Sequence, residues 1–93
     1  MAEARGTTAG RVLVGGEALI DLVVDADGHI VPHAGGGPFN AARTLGRLGV
    51  DVAYLGALSD DRFGRLLREA LVADRVSVDH VLDTALPTTL ALA

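Results

Sequence analysis

Short apolar segments alternate with two amphipathic helical patterns along this chain, and this alternation limits the possible folds more than any other feature. Four apolar runs are typical of strands and comprise residues 12–14, 51–58, 78–82 and 88–93. Helical spacing of apolar side chains appears over residues 38–48 and again after Asp60. Because strands that alternate with helices indicate a parallel sheet, the predicted fold class is α/β with a mostly parallel sheet.

A predicted hairpin interrupts this alternation early in the chain. Residues 18–24 and 29–33 have the composition of strands, and the connecting DADG segment at 25–28 has the residues that a tight turn requires. Pro32 cannot donate a hydrogen bond to a neighbouring strand, so we expect an edge position for the second strand. Residues 12–14, closed by two glycines, are predicted to form a strand buried on both faces. The sequence thus predicts a βαβαβ core with a two-stranded excursion.

The first predicted helix has one apolar face. Ala41, Leu45 and Leu48 share that face with Ala42 beside them, and Arg43 and Arg47 lie opposite. Pro38 suits the first turn of this helix and Gly49 its C-terminal cap.

The second predicted helix buries a regular set of side chains, which are Phe63, Leu66, Leu67, Ala70 and Leu71. Ser59 and Asp60 are the expected N-cap residues, and Asp61 and Arg65 are spaced to form an i,i+4 ion pair. Gly64 is expected to weaken this helix by about 1 kcal/mol relative to alanine.

Composition excludes some classes of partner. The 93 residues include 12 acids and 8 bases, for a formal net charge of −4, which argues against a nucleic-acid surface. The apolar runs are too short to span a membrane, and residues 1–10 have no secretory h-region, so a cytoplasmic location is expected. Residues 1–10 are interpreted as a flexible leader and residues 11–93 as the ordered region. Because two helices can hardly cover both faces of a parallel sheet, the chain is expected to be the front part of a longer fold.

Two segments are candidates for ligand binding. Asp21 lies among apolar neighbours, so its carboxylate either faces a cleft, where it can accept hydrogen bonds from two hydroxyls, or simply points outward to water. Gly35, Gly36 and Gly37 precede a helix start, where backbone N–H groups can approach a ligand or where the glycines merely form a flexible turn. Asn40 either contacts the same ligand or helps to cap the helix.

Other titratable residues do not suggest a site. His29, His33 and His80 lack the arrangement of ligands that a zinc centre needs, and no metal site is expected. Asp60 and Asp61 resemble a carboxylate pair, but capping and the helix dipole explain both residues.

Several motifs together resemble the ribokinase-like (PfkB) carbohydrate kinase family, and its fructokinases in particular. They are GEALID at 16–21, GGGPFNAA at 35–42, LGRLG at 45–49 and LGALSDDRFG at 55–64. The resemblance covers about residues 11–93 and implies the N-terminal part of a ribokinase-like sandwich, with a small β-lid formed by residues at about 18–34. It also implies an ATP-dependent kinase that phosphorylates a sugar hydroxyl.

The resemblance assigns roles to individual residues. Asp21 would hold sugar hydroxyls, Gly35 and Gly36 would bring backbone to the sugar, and Asn40 would bind another hydroxyl. Gly37 stands where ribokinase has lysine, and Leu19 stands where ribokinases have a sugar-contacting asparagine. Both departures favour a substrate like those of fructokinases or 2-keto-3-deoxygluconate kinases over ribose.

The resemblance also indicates what these residues lack. The family's catalytic aspartate belongs to a Gly-Ala-Gly-Asp type motif, and no Gly-x-Gly-Asp occurs in this sequence. ATP and Mg²⁺ are expected for the complete enzyme, with their contacts beyond residue 93, so the 93 residues alone are expected to be inactive. The alternatives are a non-catalytic sugar-binding module, one that forms a homodimer through lid strands, or a truncated product without function.

Overall fold

The computed structural model describes residues 10–92, and the predicted leader at 1–10 falls almost entirely outside them. Two sheets and two helices make up the described fold. The elements are β1 (Val12–Gly15), β2 (Leu19–Val24), β3 (Ile30–Gly35), α1 (Gly37–Arg47), β4 (Val52–Ser59), α2 (Arg62–Ala73), β5 (Val81–Thr84) and β6 (Leu90–Leu92). The predicted α/β class and the predicted order of elements are confirmed.

A main sheet has the strand order β1-β4-β5, with both neighbouring pairs parallel. Both helices pack against β4, and their apolar side chains meet those of the sheet in one core. The largest fully buried core side chains are Tyr54, Phe39, Ile20, Leu58, Leu67, Leu71 and Val52. The main sheet and its two helices therefore form a two-layer unit around a single core.

A small sheet has the strand order β3-β2-β6, in which β2 pairs antiparallel with β3 and parallel with β6. Asp25 forms the predicted hairpin turn, because its Oδ1 accepts the backbone N–H groups of Asp27 and His29, each at 2.9 Å. Pro32 lies on the edge strand β3, as predicted. The sequence did not indicate that β6 would leave the main sheet and join the hairpin.

Two strand predictions need correction. Residues 12–14 are not buried on both faces within the described chain, because β1 is an edge strand and Leu13 is 54% exposed. The strand predicted at 78–82 begins later, at Val81. Ser77 has already paired with β4, and Val81 N–H then closes a turn on the Val78 carbonyl at 3.1 Å, so the chain re-enters the sheet only after that turn.

The buried face of α1 is rotated from the predicted one. Phe39, Ala42 and Gly46 are buried, whereas Ala41 is exposed and Leu48, the C-cap residue, is 74% exposed. Phe39 determines this rotation, since its ring packs edge-on against Tyr54 with the ring centroids 5.8 Å apart. Gly49 follows the C-cap residue Leu48 and ends the helix as predicted, with a φ of 86° and a hydrogen bond from its N–H to the Gly46 carbonyl.

The N-terminus of α2 also differs in detail from the prediction. The N-cap is Asp61, not Ser59 or Asp60, and its side chain accepts the Gly64 N–H at 2.7 Å. The predicted ion pair between Asp61 and Arg65 is wrong, because the Asp61 oxygens are used by other donors and Arg65 donates to the Asp60 carbonyl at 2.9 Å.

Candidate functional site

Asp21 lies in the middle of the small sheet. Alternation along β2 turns Ile20 into the core, where it is fully buried, and turns Asp21 to the opposite face. On that face it is directly opposite His33 of β3 and Ala91 of β6. Asp21 is half-buried there, so it is not an acid at a strand end that simply points into water.

The Asp21 carboxylate rests on the backbone of Gly35. A Cβ atom added at Gly35 would overlap Asp21 Oδ2 and would lie 3.4 Å from Leu19 Cδ1. Within residues 10–92, no side-chain hydrogen bond or ion pair engages this carboxylate. The structure thus brings two of the predicted site residues into contact and leaves the carboxylate oxygens available as acceptors.

Gly36 is the N-cap of α1, and two observations explain why glycine occupies this position. Its φ of 109° is in the region that favours glycine, and an added Cβ would lie 2.6 Å from the Glu17 carbonyl oxygen. No side chain caps this helix, although Asn40 N–H donates to the Gly36 carbonyl at 2.9 Å. The backbone at this helix start therefore has N–H donors that no capping side chain satisfies, next to Gly35.

Gly37 and Asn40 complete the predicted set at the first turn of α1. Both residues are exposed, and a Cβ atom at Gly37 would meet nothing within 4 Å. The alternative role of Asn40 as a helix cap is not observed, because the N-cap has no side-chain hydrogen bond. Asp21 thus contacts Gly35, and the exposed first turn of α1 follows Gly35 directly along the chain.

Tyr54 contacts the segment between β1 and β2 and was not singled out by the sequence. Its hydroxyl donates to the Gly16 carbonyl, in the segment that leads from β1 into β2. Burial, with a smaller contribution from the charge of Glu17, raises the Tyr54 pKa above its ordinary value. The available signal was a single tyrosine within an apolar strand, since a buried tyrosine hydroxyl usually needs a partner.

Thr88 is a second residue that the sequence did not single out. Its backbone N–H donates to Asp61 Oδ2 at 2.9 Å, and its hydroxyl donates to Asp61 Oδ1 at 2.7 Å. Hydrogen bonds from Thr88, together with that from Gly64, hold the pKa of Asp61 well below its usual range. Asp61 thus connects the start of α2 to the segment that enters β6.

The histidines do not come together in the described chain. His29 precedes β3 rather than lying within it, so it does not share a strand face with His33. A ring nitrogen of His29 instead lies within 4.8 Å of carboxylate oxygens of Asp25 and Asp27, and all three residues are exposed. The hydrogen bonds of the hairpin turn account for this proximity.

Neither described helix is long and apolar enough to cross a bilayer.

Comparison with known proteins identifies relatives for this arrangement. The family model described as "pfkB family carbohydrate kinase" matches residues 9–93. A fructokinase from Klebsiella pneumoniae is 38% identical over 81 residues, which cover 86% of this chain and 26% of that protein. The chain thus spans about a quarter of the length of the curated relatives that it matches first.

Two solved structures share the fold. A fructokinase from Vibrio cholerae O395, in a form with bound fructose, ADP and calcium ion, has a TM-score of 0.82 and 30% identity, covering 89% of this chain and 27% of its own. Aminoimidazole riboside kinase from Salmonella enterica, complexed with aminoimidazole riboside and an ATP analog, has a TM-score of 0.83 and 30% identity, covering 90% of this chain and 29% of its own.

Proposed function

This chain belongs to the pfkB family of carbohydrate kinases, and we propose that it is the sugar-binding part of an ATP-dependent, fructokinase-like enzyme. The proposed reaction transfers the γ-phosphoryl group of ATP to a sugar hydroxyl and releases ADP. The observation that carries this proposal is the half-buried Asp21 carboxylate, which rests on Gly35 without a partner among residues 10–92.

Each proposed contact follows from the chemistry of the group that makes it. The two oxygens of Asp21 accept hydrogen bonds from adjacent sugar hydroxyls. Asp21 Oδ2 and the Glu17 carbonyl occupy the space that a Cβ atom would need at Gly35 and Gly36, so we propose that the sugar meets the backbone of these residues from another side, and Gly37 leaves open space next to them. The Asn40 amide both donates and accepts, which suits a hydroxyl that does the same.

The proposed substrate is fructose rather than ribose. Leu19 shares the sheet face of Asp21 and lies beside Gly35, so it presents a hydrocarbon side chain where a polar residue would bind another hydroxyl. Gly37 has open space in place of a side chain. The similarity to fructokinases supports this choice, whereas the riboside kinase relative makes ribosides the competing substrate class.

Phosphoryl transfer requires groups that these residues do not supply. A base must accept the proton of the attacking hydroxyl, and the transferred phosphoryl charge must be stabilised. Asp21 is the only proposed site residue with a carboxylate, and its role here is to orient the sugar. We propose that the catalytic base and the groups that bind ATP and Mg²⁺ come from polypeptide outside these 93 residues. When bound, Mg²⁺ would neutralise phosphate charge.

The test is substitution of Asp21 in the complete polypeptide that contains this chain. Asp21→Ala removes both acceptors, so we expect kcat/KM for fructose to fall at least about a hundredfold. Asp21→Asn keeps one acceptor oxygen, and we expect a fall of about tenfold. Asp27→Asn is the matched control, because this exposed acid lies in the hairpin of the same small sheet, where only its backbone N–H takes part in the turn. Unchanged kinetics for both Asp21 variants would contradict the assignment.

A second candidate function is a sugar-binding or dimerising module without catalysis. The open edge strand β3, with Ile30, Pro32 and His33 exposed, favours this alternative because an edge strand can pair with a second copy. Isothermal titration with fructose, combined with an assay for ADP release, separates the two functions. Saturable binding with turnover supports the kinase, and saturable binding without turnover supports the module. A truncated product without function would show neither.

A further inference from the structure

Asp61 makes more contacts than an N-cap residue needs. Its Oδ1 accepts the Gly64 N–H at 2.7 Å, which is the usual capping bond, and also the Thr88 hydroxyl at 2.7 Å. Its Oδ2 accepts the Thr88 backbone N–H at 2.9 Å. Two of the three bonds therefore cross to a segment that lies 27 residues further along the chain.

That segment leads directly into the small sheet. Thr88 is followed by Thr89, whose carbonyl accepts the Ile20 N–H at 3.0 Å, and then by β6. The described residues of β6, 90–92, pair with Ile20, Asp21 and Leu22 of β2. Thr88 thus lies immediately before the residues that pair with β2, so its contacts fix the point where the chain enters this pairing.

We propose that Asp61 is a positioning residue for the small sheet: its bonds to Thr88 hold β6 against β2 and thereby keep Asp21 in place over Gly35. The effect on sugar binding rests on the proposed function, whereas the effect on the β2–β6 pairing does not. Asp61 does not contact the sugar. It acts through Thr88, Thr89 and the backbone of β2.

One substitution separates this role from helix capping. In Asp61→Asn the remaining oxygen still caps α2, because asparagine is an N-cap residue as good as aspartate. The new amide NH₂ faces the Thr88 N–H, however, so a donor meets a donor and that bond is lost. Thr88→Val removes the hydrogen bond that the Thr88 hydroxyl donates to Asp61 Oδ1, and Thr88→Ser retains it.

Asp60→Asn is the matched control. Asp60 is adjacent and exposed, and among the described contacts only its backbone takes part in hydrogen bonds, with its N–H donating to Thr84 and its carbonyl accepting from Arg65. Both variants make the same chemical change, one residue apart. Any effect confined to position 61 therefore comes from its contacts rather than from the lost charge alone.

The first measurement is amide hydrogen exchange, followed by mass spectrometry, in the complete polypeptide. We expect Asp61→Asn to accelerate exchange about tenfold in peptides covering residues 19–22 and 89–92, with residues 62–73 unchanged. Thr88→Val should do the same to a smaller extent, and Thr88→Ser and Asp60→Asn should match the wild type. If Asp61→Asn does not fold, Thr88→Val carries the test. Equal exchange in all variants, or acceleration in residues 62–73 as well, overturns the proposal.

The second measurement is steady-state kinetics with fructose and ATP. We expect Asp61→Asn to raise the KM for fructose about tenfold while the KM for ATP changes less than twofold. A purely structural defect would lower the amount of active enzyme and leave both KM values unchanged, and that result would overturn the positioning role. If the wild type neither binds nor phosphorylates a sugar, the proposed function fails, and the exchange data still decide whether Asp61 holds β6.

Discussion

Gly64 shows how contact geometry outweighs helix propensity at a single residue. By propensity alone, a glycine in the first turn of α2 weakens the helix. In the structure Gly64 is buried, and an added Cβ would overlap the carbonyl oxygen of Ser59, which is backbone and cannot move aside. Gly64 therefore allows α2 to start close to the end of β4.

This contact predicts opposite effects for two glycine-to-alanine substitutions. Gly64→Ala should lower the free energy of unfolding by about 1–3 kcal/mol, because the added methyl group overpacks a tight backbone contact. Gly37→Ala, at the open start of α1, should be neutral or raise it by up to about 1 kcal/mol. Urea denaturation of both variants of the complete polypeptide checks this. Stabilisation by Gly64→Ala would mean that the two elements do not approach each other as described.

At the scale of elements, α1 is held to the end of α2 by one carboxylate. Asp74, the C-cap residue of α2, accepts from Arg43 Nε and Arg47 Nη1 of α1, each at 2.7 Å. Arg43 also lies over the Phe39 ring, 5.7 Å from its centroid. The Arg43 hydrogen bond, aided by the charge of Arg47 and opposed by partial desolvation, lowers the Asp74 pKa below its ordinary value of 3.8.

The lowered pKa predicts a pH-dependent contribution to stability. A carboxylate whose folded-state pKa is depressed stabilises the fold above its unfolded pKa, and this contribution disappears as the pH falls through the folded pKa. We expect Asp74→Asn to be less stable than the wild type at pH 7, with the difference shrinking as the pH falls below 3.8. Urea midpoints across this range check the prediction, with Asp27→Asn as an exposed control. A difference that stays constant with pH would argue against the link.

At the scale of the whole molecule, the main sheet has one covered face and one open face. Register places Leu13 beside Ala53, and Ala57 beside Leu82, on the face opposite the helices. Leu13 and Leu82 are 54% and 67% exposed there. Large exposed leucines on one sheet face indicate a surface that another element or molecule covers. The fructokinase from Klebsiella pneumoniae, of which this chain matches 26%, is roughly three times as long as this chain.

The open face predicts that the 93-residue chain, produced by itself, self-associates. Burying one exposed leucine contributes about 1.5–3 kcal/mol, so Leu82→Thr should weaken association about tenfold. Leu48→Thr is the control, since Leu48 is at least as exposed as Leu82 but lies at the end of α1. Sedimentation equilibrium over a range of concentrations measures both. A monomeric wild type, or an equal effect of the two variants, would contradict this interpretation.

The sequence by itself determined the α/β class, the order of the elements, the hairpin turn, the edge position of Pro32 and the family. The family follows from the resemblance of the motifs at 16–21, 35–42, 45–49 and 55–64 to those of known members. The other features depend on periodicity and on backbone constraints that act over a few positions, which a linear pattern records. The assignment of Asp21, the glycine segment and Asn40 to a sugar site also comes from the sequence, and it stays a prediction.

Only the tertiary structure decided which sheet β6 joins, what Asp21 rests on and which distant residue donates to Asp61. The Tyr54–Gly16 and Asp61–Thr88 bonds join residues that are 38 and 27 positions apart. Their existence depends on how the two sheets pack around the helices. Hydropathy patterns record which side of an element is buried but not which distant residue meets it, because that partner is selected by packing of the whole core.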